Sequence, residues 1–250
     1  MTASVLLPAY CGERFLAAQL DSILPQLREG DELLLSDDSP PDQPETRRIA
    51  EAYAARDARV RVLEGPKRGV IRNVEFLLTR AGGDFLLLAD QDDVWLPGKL
   101  AAICAALEAG AGCVLHDAKI VDETLAELAP SFLTERRAAP GFWRNFWRNG
   151  YIGCCMGFRA ALLPDLLPFP AGIPMHDQWI GLTAERRAAC QTKQASPVVW
   201  LREPYLLYRR HGAAQTGGGT SLRQKLRWRV RLFWALLRRP EKQKEVEERI

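Results

Sequence analysis

Three carboxylates fall within four residues at Asp90-Gln91-Asp92-Asp93, directly after the apolar run Phe85-Leu86-Leu87-Leu88-Ala89. Carboxylates this close repel one another, so the cluster belongs on a solvated loop or beside a neutralising cation. Hard oxygen ligands favour Mg²⁺ or Mn²⁺, and a cation held by one or two carboxylates keeps positions open for a diphosphate. An acidic loop that caps the helix starting near Leu96 has the same composition, and the cluster alone leaves both readings open. Asp37-Asp38 lies in Ser36-Asp37-Asp38-Ser39-Pro40, which by itself is ordinary turn chemistry. At a strand end those carboxylates could also accept from a nucleobase imide or a ribose hydroxyl. His176-Asp177-Gln178-Trp179 follows Pro174 and opens a helix; Asp177 there is a cap or a general base. Tyr208-Arg209-Arg210-His211-Gly212 sets an imidazole beside two arginines. Such a histidine is structural in isolation and suits phosphate or metal in this company.

Each group needs an element to hold it. Residues 3–7 read as a buried strand, and 13–24 as a helix with Phe15, Leu16, Leu20, Ile23 and Leu24 at helical spacing. Strands follow at 33–35, 60–63, 84–89 and 113–115, with helices at 44–56, 70–80 and 97–108 between them. Alternation of this kind predicts an α/β fold with a parallel, doubly wound sheet, whose ligands bind at the carboxyl ends of the strands. Both acidic clusters lie at such ends. After residue 120 the pattern loosens. Phe142-Trp143-Arg144-Asn145-Phe146-Trp147 suits sugar rings or core packing equally. Residues 151–158 read as a strand, 176–188 as a helix, and 197–210 as two short strands around Glu203-Pro204. Gly217-Gly218-Gly219 reads as a break before a separate basic helix from 221.

Composition bounds the function. With 250 residues, 47% of them hydrophobic and 26% charged, the chain is a folded protein and not a disordered one. The net charge of +3, with the basic residues concentrated in the tail, argues against nucleic acid as a partner. The N-terminus has no basic leader and its apolar run stops at Pro8, so a cytoplasmic protein with reduced thiols is expected. The six cysteines show neither disulfide-framework nor zinc-site spacing, and Cys154-Cys155 reads as buried strand filler. Residues 222–239 carry seven Arg or Lys and no acid, with Leu222, Leu226, Val230, Phe233 and Leu237 on one stripe. That pattern, with Trp228 and Trp234, reads as a peripheral contact with the anionic inner face of the cell membrane; the competing reading is a terminal helix packed on the domain.

Taken together, these segments resemble the inverting glycosyltransferases of family 2, which have a GT-A fold. Pro8-Ala9-Tyr10-Cys11-Gly12-Glu13 is similar to the family's opening Pro-x-Tyr-Asn-Gly-Glu, with Cys11 in place of Asn. Ser36-Asp37-Asp38-Ser39 resembles its second-strand nucleotide motif, and Gly69 and Asn73 its Gly-x-x-x-Asn. Asp90-Gln91-Asp92-Asp93-Val94-Trp95 is close to its metal motif, in a form like the rhamnosyltransferase-type members. His176-Asp177-Gln178-Trp179 matches the base segment, and Tyr208-Arg209-Arg210-His211-Gly212 the family's Tyr-Arg-Gln-His-Gly. The likeness covers about residues 3 to 220.

The resemblance implies a mixed, mostly parallel sheet with helices on both faces; the basic C-terminal helix beyond it is read from its own residues. It implies a catalytic domain over 1–220, with a nucleotide-sugar half to about 120 and an acceptor half beyond it, and a tail over 221–250. It implies transfer of one sugar, of which rhamnose is one candidate, from a dTDP- or UDP-sugar to a hydroxyl of a surface glycan or its lipid-linked precursor, with Mg²⁺ or Mn²⁺. Asp177 would be the base. Pro8, Ala9, Tyr10, Glu13, Asp37, Asp38, Gly69, Asn73, Asp90, Gln91 and Asp92 would surround the donor. Asp92, Asp93 and His211 would face the metal, and Trp95, Cys154, His176, Gln178 and Trp179 the acceptor. Gln224-x-x-Arg227-Trp228 mimics a motif of processive synthases but stands away from any membrane span and reads as coincidence. Two rival readings are a non-catalytic nucleotide-binding relative and a nucleotidyltransferase. The latter expects a Gly-rich, basic phosphate loop where this chain has Ala9-Tyr10-Cys11-Gly12-Glu13.

Overall fold

Along Ala3–Ala9 (β1) successive side chains point to opposite faces. Val5, Leu7 and Ala9 join one buried cluster, while Leu6 joins another on the far side. The same division runs through Glu32–Asp37 (β2), where Leu33 and Leu35 face one way and Leu34 the other, and through Phe85–Leu88 (β4). Strands that are apolar on both faces must be covered on both. Leu16–Ile23 (α1) covers the first face with Leu16, Leu20 and Ile23 at i, i+4 and i+7. Glu45–Ala54 (α2) joins it there. Val70–Leu78 (α3) covers the second face with Val74, Leu77 and Leu78.

The computed structural model describes residues 1–190, 198–211 and 221–237. The remaining strands are Val60–Glu64 (β3), Val94–Trp95 (β5), Cys113–Val121 (β6), Glu127–Ala129 (β7), Met156–Arg159 (β8) and Val198–Arg209 (β9). The remaining helices are Lys99–Glu108 (α4), Phe132–Arg136 (α5), Phe142–Trp147 (α6), Leu163–Leu166 (α7), His176–Cys190 (α8) and Leu222–Leu237 (α9). Among the described residues the strands form one sheet in the order β3-β2-β1-β4-β8-β6-β9-β5, with β7 on β6. β1, β2, β3, β4, β6 and β9 run one way; β5, β7 and β8 run against them. The sheet is therefore mixed and mostly parallel. Its order brings the carboxyl ends of β2, β1 and β4 side by side, with β9 arriving from the other half.

Three expectations change. Residues 197–210 were to hold two strands broken at Glu203-Pro204, but one strand, β9, runs through Pro204. The break is absorbed as register shifts against β6 around Asp117, which pairs with Pro204; a bulge accommodates a residue that has no N–H to donate. Residues 151–158 were to be a strand; Gly153–Cys155 instead form a 3-10 turn, and the strand begins at Met156. The tail helix was to be separate, with packing on the domain as the competing reading. α9 packs on the domain, with Leu232 and Leu236 buried and the Leu236 carbonyl accepting from Arg186 Nη1 at 2.5 Å. Burying two leucines of this kind contributes about 1.5–3 kcal/mol each. No helix among the described residues is long and apolar enough to cross a membrane. Gly212, the Gly217–Gly219 break and residues 238–250 of the tail lie outside the described residues.

Candidate active site

At the carboxyl end of β1 the chain turns through Tyr10 and Cys11. Tyr10 N–H donates to Gln91 Oε1 at 2.8 Å, and Gln91 Nε2 donates to the Tyr10 carbonyl at 2.9 Å. The Gln91 side chain thus acts as a short strand that ties the β1 loop to the β4 loop. Gly12 makes room for it: a Cβ there would lie 2.1 Å from Gln91 Oε1. Buried Gln19 of α1 holds the same loop by donating from Nε2 to the Asp90 carbonyl at 2.6 Å. Glu13 Oε2 accepts from Thr46 Oγ1, which itself accepts from Gly12 N–H. Pro8 and Ala9 are the last strand residues, and Tyr10 is exposed above them.

The end of β2 is polar and incompletely satisfied. Asp37 Oδ1 accepts from Ser39 N–H at 2.9 Å, and Asp38 Oδ1 from Lys67 N–H at 2.8 Å. Asp38 Oδ2, Ser36 Oγ and Asn73 Oδ1 are buried with no partner in the protein. An unmet buried polar atom costs about 1–3 kcal/mol, so three together mark a place where a polar ligand edge would be stabilised. Asn73 is fully buried and spends its amide on the Ser36 carbonyl at 3.0 Å. It supports the β2 end from beneath. Gly69 starts α3 at φ 80°, which only glycine adopts without strain, and its place is in the backbone of the loop.

Asp92 and Asp93 are neighbours with different surroundings. Asp93 is fully buried and its Oδ1 accepts from the backbone N–H of Arg209 at 3.0 Å. Burial, with Asp92 and Asp90 close by, pushes its proton affinity well up. The Asp92 side chain is 24% exposed, and its Oδ2 is 2.8 Å from Nε2 of His211. Arg209 locks the loop further by donating from Nε to the Asp92 carbonyl at 2.8 Å, while Phe15 packs under the Arg209 guanidinium and the His211 ring. A half-open carboxylate facing an imidazole is an O/N donor set that fits Mg²⁺ or Mn²⁺. Asp90, Asp93 and Cys154 also bring ligand atoms within 4.8 Å of one another. That set is poorer for a hard cation, because Cys154 is fully buried and burial raises its thiol well above the ordinary range.

Asp177 stands in the first turn of α8 and is 7% exposed. Its Oδ1 accepts from Asn149 Nδ2 at 3.0 Å and from Gln178 N–H at 2.5 Å. These hydrogen bonds and the helix N-terminus favour the carboxylate, but desolvation wins and pushes Asp177 up to about 6. Asp90 is pushed up to about 7, first by burial and then by the charges of Asp92 and Asp177. The base candidate and the acidic loop, far apart in sequence, therefore feel each other's field. His176 is buried, its ring close against Gly153, and burial drives it down to about 4, so it is neutral. Gln178 Nε2 donates to the Asn145 carbonyl at 2.7 Å.

The expected acceptor contacts are corrected: all five residues are buried, His176 at 5% and Gln178 at 1% exposed among them. Trp95 and Trp179 are each 3% exposed and Cys154 is fully buried. Trp95 packs in the core under the Lys99 ammonium, 4.1 Å from the ring centre, and Trp179 Nε1 donates to the Leu166 carbonyl. None offers an open face to a sugar. Lys99 was not expected at all. It is fully buried and donates to the Cys154 carbonyl at 2.5 Å; burial pulls its proton affinity down, and the acidic groups around it, Asp93 and Asp90 among them, oppose this only in part. Its place just after the acidic cluster was the only available signal. No spacing rule connects Asn149 with Asp177.

The family model described as glycosyl transferase family 2 matches residues 4–167. The uncharacterised glycosyltransferase EpsJ of Bacillus subtilis (strain 168) is 34% identical over 90 residues, covering 36% of this chain and 26% of that protein. Among solved structures, S. aureus TarS 1-349 in complex with UDP-GlcNAc superposes with a TM-score of 0.64 at 19% identity, over 88% of this chain and 62% of that one. Glucosyl-3-phosphoglycerate synthase from Mycobacterium tuberculosis, in complex with Mn²⁺, UDP and phosphoglyceric acid, gives 0.58 at 19%, over 94% and 77%. The chain thus spans about a quarter of the matched curated relative and three fifths of TarS 1-349. The two solved structures carry the GT-A fold across to this chain.

Proposed function

Because the chain belongs to glycosyl transferase family 2, we propose that it moves one sugar from a nucleoside-diphosphate donor to an acceptor hydroxyl, inverting the anomeric carbon. The observation that carries this reading is the 2.8 Å pair of Asp92, in the loop after β4, with His211; Asp177 is a buried, proton-avid carboxylate whose charge bears on Asp90. The unsatisfied atoms of Ser36 and Asp38, with Asp37 beside them, supply acceptors for a nucleobase and ribose. Asp92 and His211 are the residues that would hold Mg²⁺ or Mn²⁺. When bound, such a cation offsets the negative charge that gathers on the departing diphosphate. The TarS and synthase complexes with UDP-GlcNAc, UDP and Mn²⁺ support a UDP-type donor. The Asp-Gln-Asp-Asp-x-Trp form keeps a dTDP-rhamnose donor beside it, and the acceptor is a hydroxyl of a surface glycan or its lipid-linked precursor.

The acceptor oxygen forms its bond to the anomeric carbon as the bond from that carbon to the phosphate oxygen breaks. Asp177 takes the acceptor's proton in that step. A carboxylate titrating near 6 is ionised at neutral pH yet more basic than an ordinary aspartate. Asn149 and the Gln178 N–H hold one of its oxygens, which orients the other. Calorimetric titration of UDP, dTDP and GDP, each with and without Mn²⁺, tests the donor side. Mn²⁺-dependent binding of one nucleotide supports the reading; no binding by any of them defeats it for this panel.

A further inference from the structure

α6 and α9 leave large apolar side chains in solvent. Trp143 and Trp147 of α6 are each 62% exposed, and Leu226, Val230 and Trp234 of α9 are 63%, 49% and 58% exposed. The helices touch: the Phe146 and Phe233 rings pack edge to face at 6.4 Å, and Arg229 Nη2 donates to the Trp147 carbonyl at 2.6 Å. These side chains are not needed to seat α9, which is anchored through Leu232 and Leu236 on its other side. An open groove of about 460 Å³, lined by Leu167, Pro168, Val230, Arg231 and Trp234 among others, extends the apolar surface toward α7. Contiguous exposed surface of this kind marks an interaction site.

Charge selects the occupant. α9 carries Arg223, Lys225, Arg227, Arg229 and Arg231 and no acidic residue. Arg144 and Arg148 add to this on the α6 side, where both are exposed. Tryptophan rings with aliphatic side chains, bordered by cations, match the boundary between acyl chains and anionic headgroups; the carboxylate that lines the groove, Asp165, is paired with Arg187 at 2.5 Å. We propose that α6 and α9 together form a docking surface for an anionic lipid bilayer. The surface extends beyond the tail helix to the edge of the candidate site: the Asn145 carbonyl of α6 holds Gln178, and Asn149 just after α6 holds Asp177. Bilayer docking stands independently of the reaction; its value in presenting a membrane-borne acceptor to Asp177 rests on the transferase reading.

The test is co-sedimentation of the full chain with vesicles of phosphatidylcholine alone or mixed with phosphatidylglycerol. The chain is expected to pellet with the anionic vesicles, less so as salt rises, and to remain in the supernatant with the neutral ones. Trp143→Ala/Trp147→Ala and Lys225→Glu/Arg227→Glu, all at exposed positions, should each weaken partitioning about tenfold while circular dichroism and the melting midpoint stay unchanged. Equal recovery in the supernatant with both vesicle types overturns the proposal. So does unaltered binding of the tryptophan variant, which would leave α6 out of the surface. Self-association abolished by the tryptophan variant, without vesicle binding, would assign the surface to a second copy of the chain. A failed nucleotide titration would count against the reaction and leave the vesicle result standing.

Discussion

His211 Nε2 stands 2.8 Å from Oδ2 of Asp92, across a separation of 119 residues, while Asp93 next door is turned inward onto the Arg209 N–H. Two adjacent carboxylates thus take different tasks. Asp92→Ala is expected to weaken Mn²⁺-dependent nucleotide binding at least tenfold with little change in stability, and His211→Ala to do the same more mildly. Asp93→Ala leaves the Arg209 N–H unsatisfied and Lys99 without its neighbour, which should cost about 1–3 kcal/mol of stability. Calorimetry with Mn²⁺, run beside chemical denaturation, separates the cases. Equal loss of binding with equal stability in both aspartate variants would contradict this division.

Asp177 links catalysis to stability. Its proton affinity is raised to about 6, above the ordinary aspartate value of about 4. Between those values the folded state binds more protons than the unfolded one, so stability declines as pH rises through that window and the full cost is present above it. Asp177→Asn keeps an acceptor for Asn149 and Gln178 and removes the buried charge. It should abolish transfer, retain nucleotide binding, and raise the unfolding free energy more at pH 7.5 than at pH 4.5, by up to about 3 kcal/mol. In the unaltered protein the transfer rate should climb as pH passes about 6. Near-normal turnover by the variant would rule Asp177 out as the base.

The clamp between Tyr10 and Gln91 depends on the missing side chain of Gly12. A Cβ there would meet Gln91 Oε1 at 2.1 Å, so Gly12→Ala must expel Gln91 and break both of its hydrogen bonds to Tyr10. Loss of roughly 1–3 kcal/mol is expected, together with weaker nucleotide binding by the freed β1 loop. Titration of the variant with nucleotide would expose an error if affinity is unchanged.

Cys11 adopts φ 45°, a left-handed conformation that asparagine tolerates far better than cysteine. The Asn expected at this position from the family likeness suits that backbone. Cys11→Asn should therefore stabilise the chain by about 0.5–1 kcal/mol, read as a higher thermal midpoint. A lower midpoint would show that the Cys11 contact with Gln43 matters more.

Strand and helix order through residue 120 was legible because each element there is short, local in pattern and punctuated by Gly, Pro or acid. β4 is apolar on every residue and ends at the acidic cluster, which placed that cluster at the ligand edge before any coordinates. The two-residue strand β5 was not legible. Val94 and Trp95 are a strand only because Leu207 and Leu206 of β9 lie opposite them. The family motifs that contain Trp95 and Trp179 imply them as acceptor contacts, yet both are core residues; a motif match does not reveal which way a side chain faces.

The amino-acid sequence by itself determined the α/β alternation, the family likeness and the acidic, basic and imidazole groups available for chemistry, because these depend on neighbours within a few residues. The tertiary structure alone decided which groups meet. Asp92 faces outward to His211 and Asp93 inward to Arg209 because β9 returns beside the β4 loop. Asn149 reaches Asp177 because the segment after α6 lies against the first turn of α8. Contacts between residues distant in the chain are fixed by how the sheet is ordered and packed, and no local pattern encodes them.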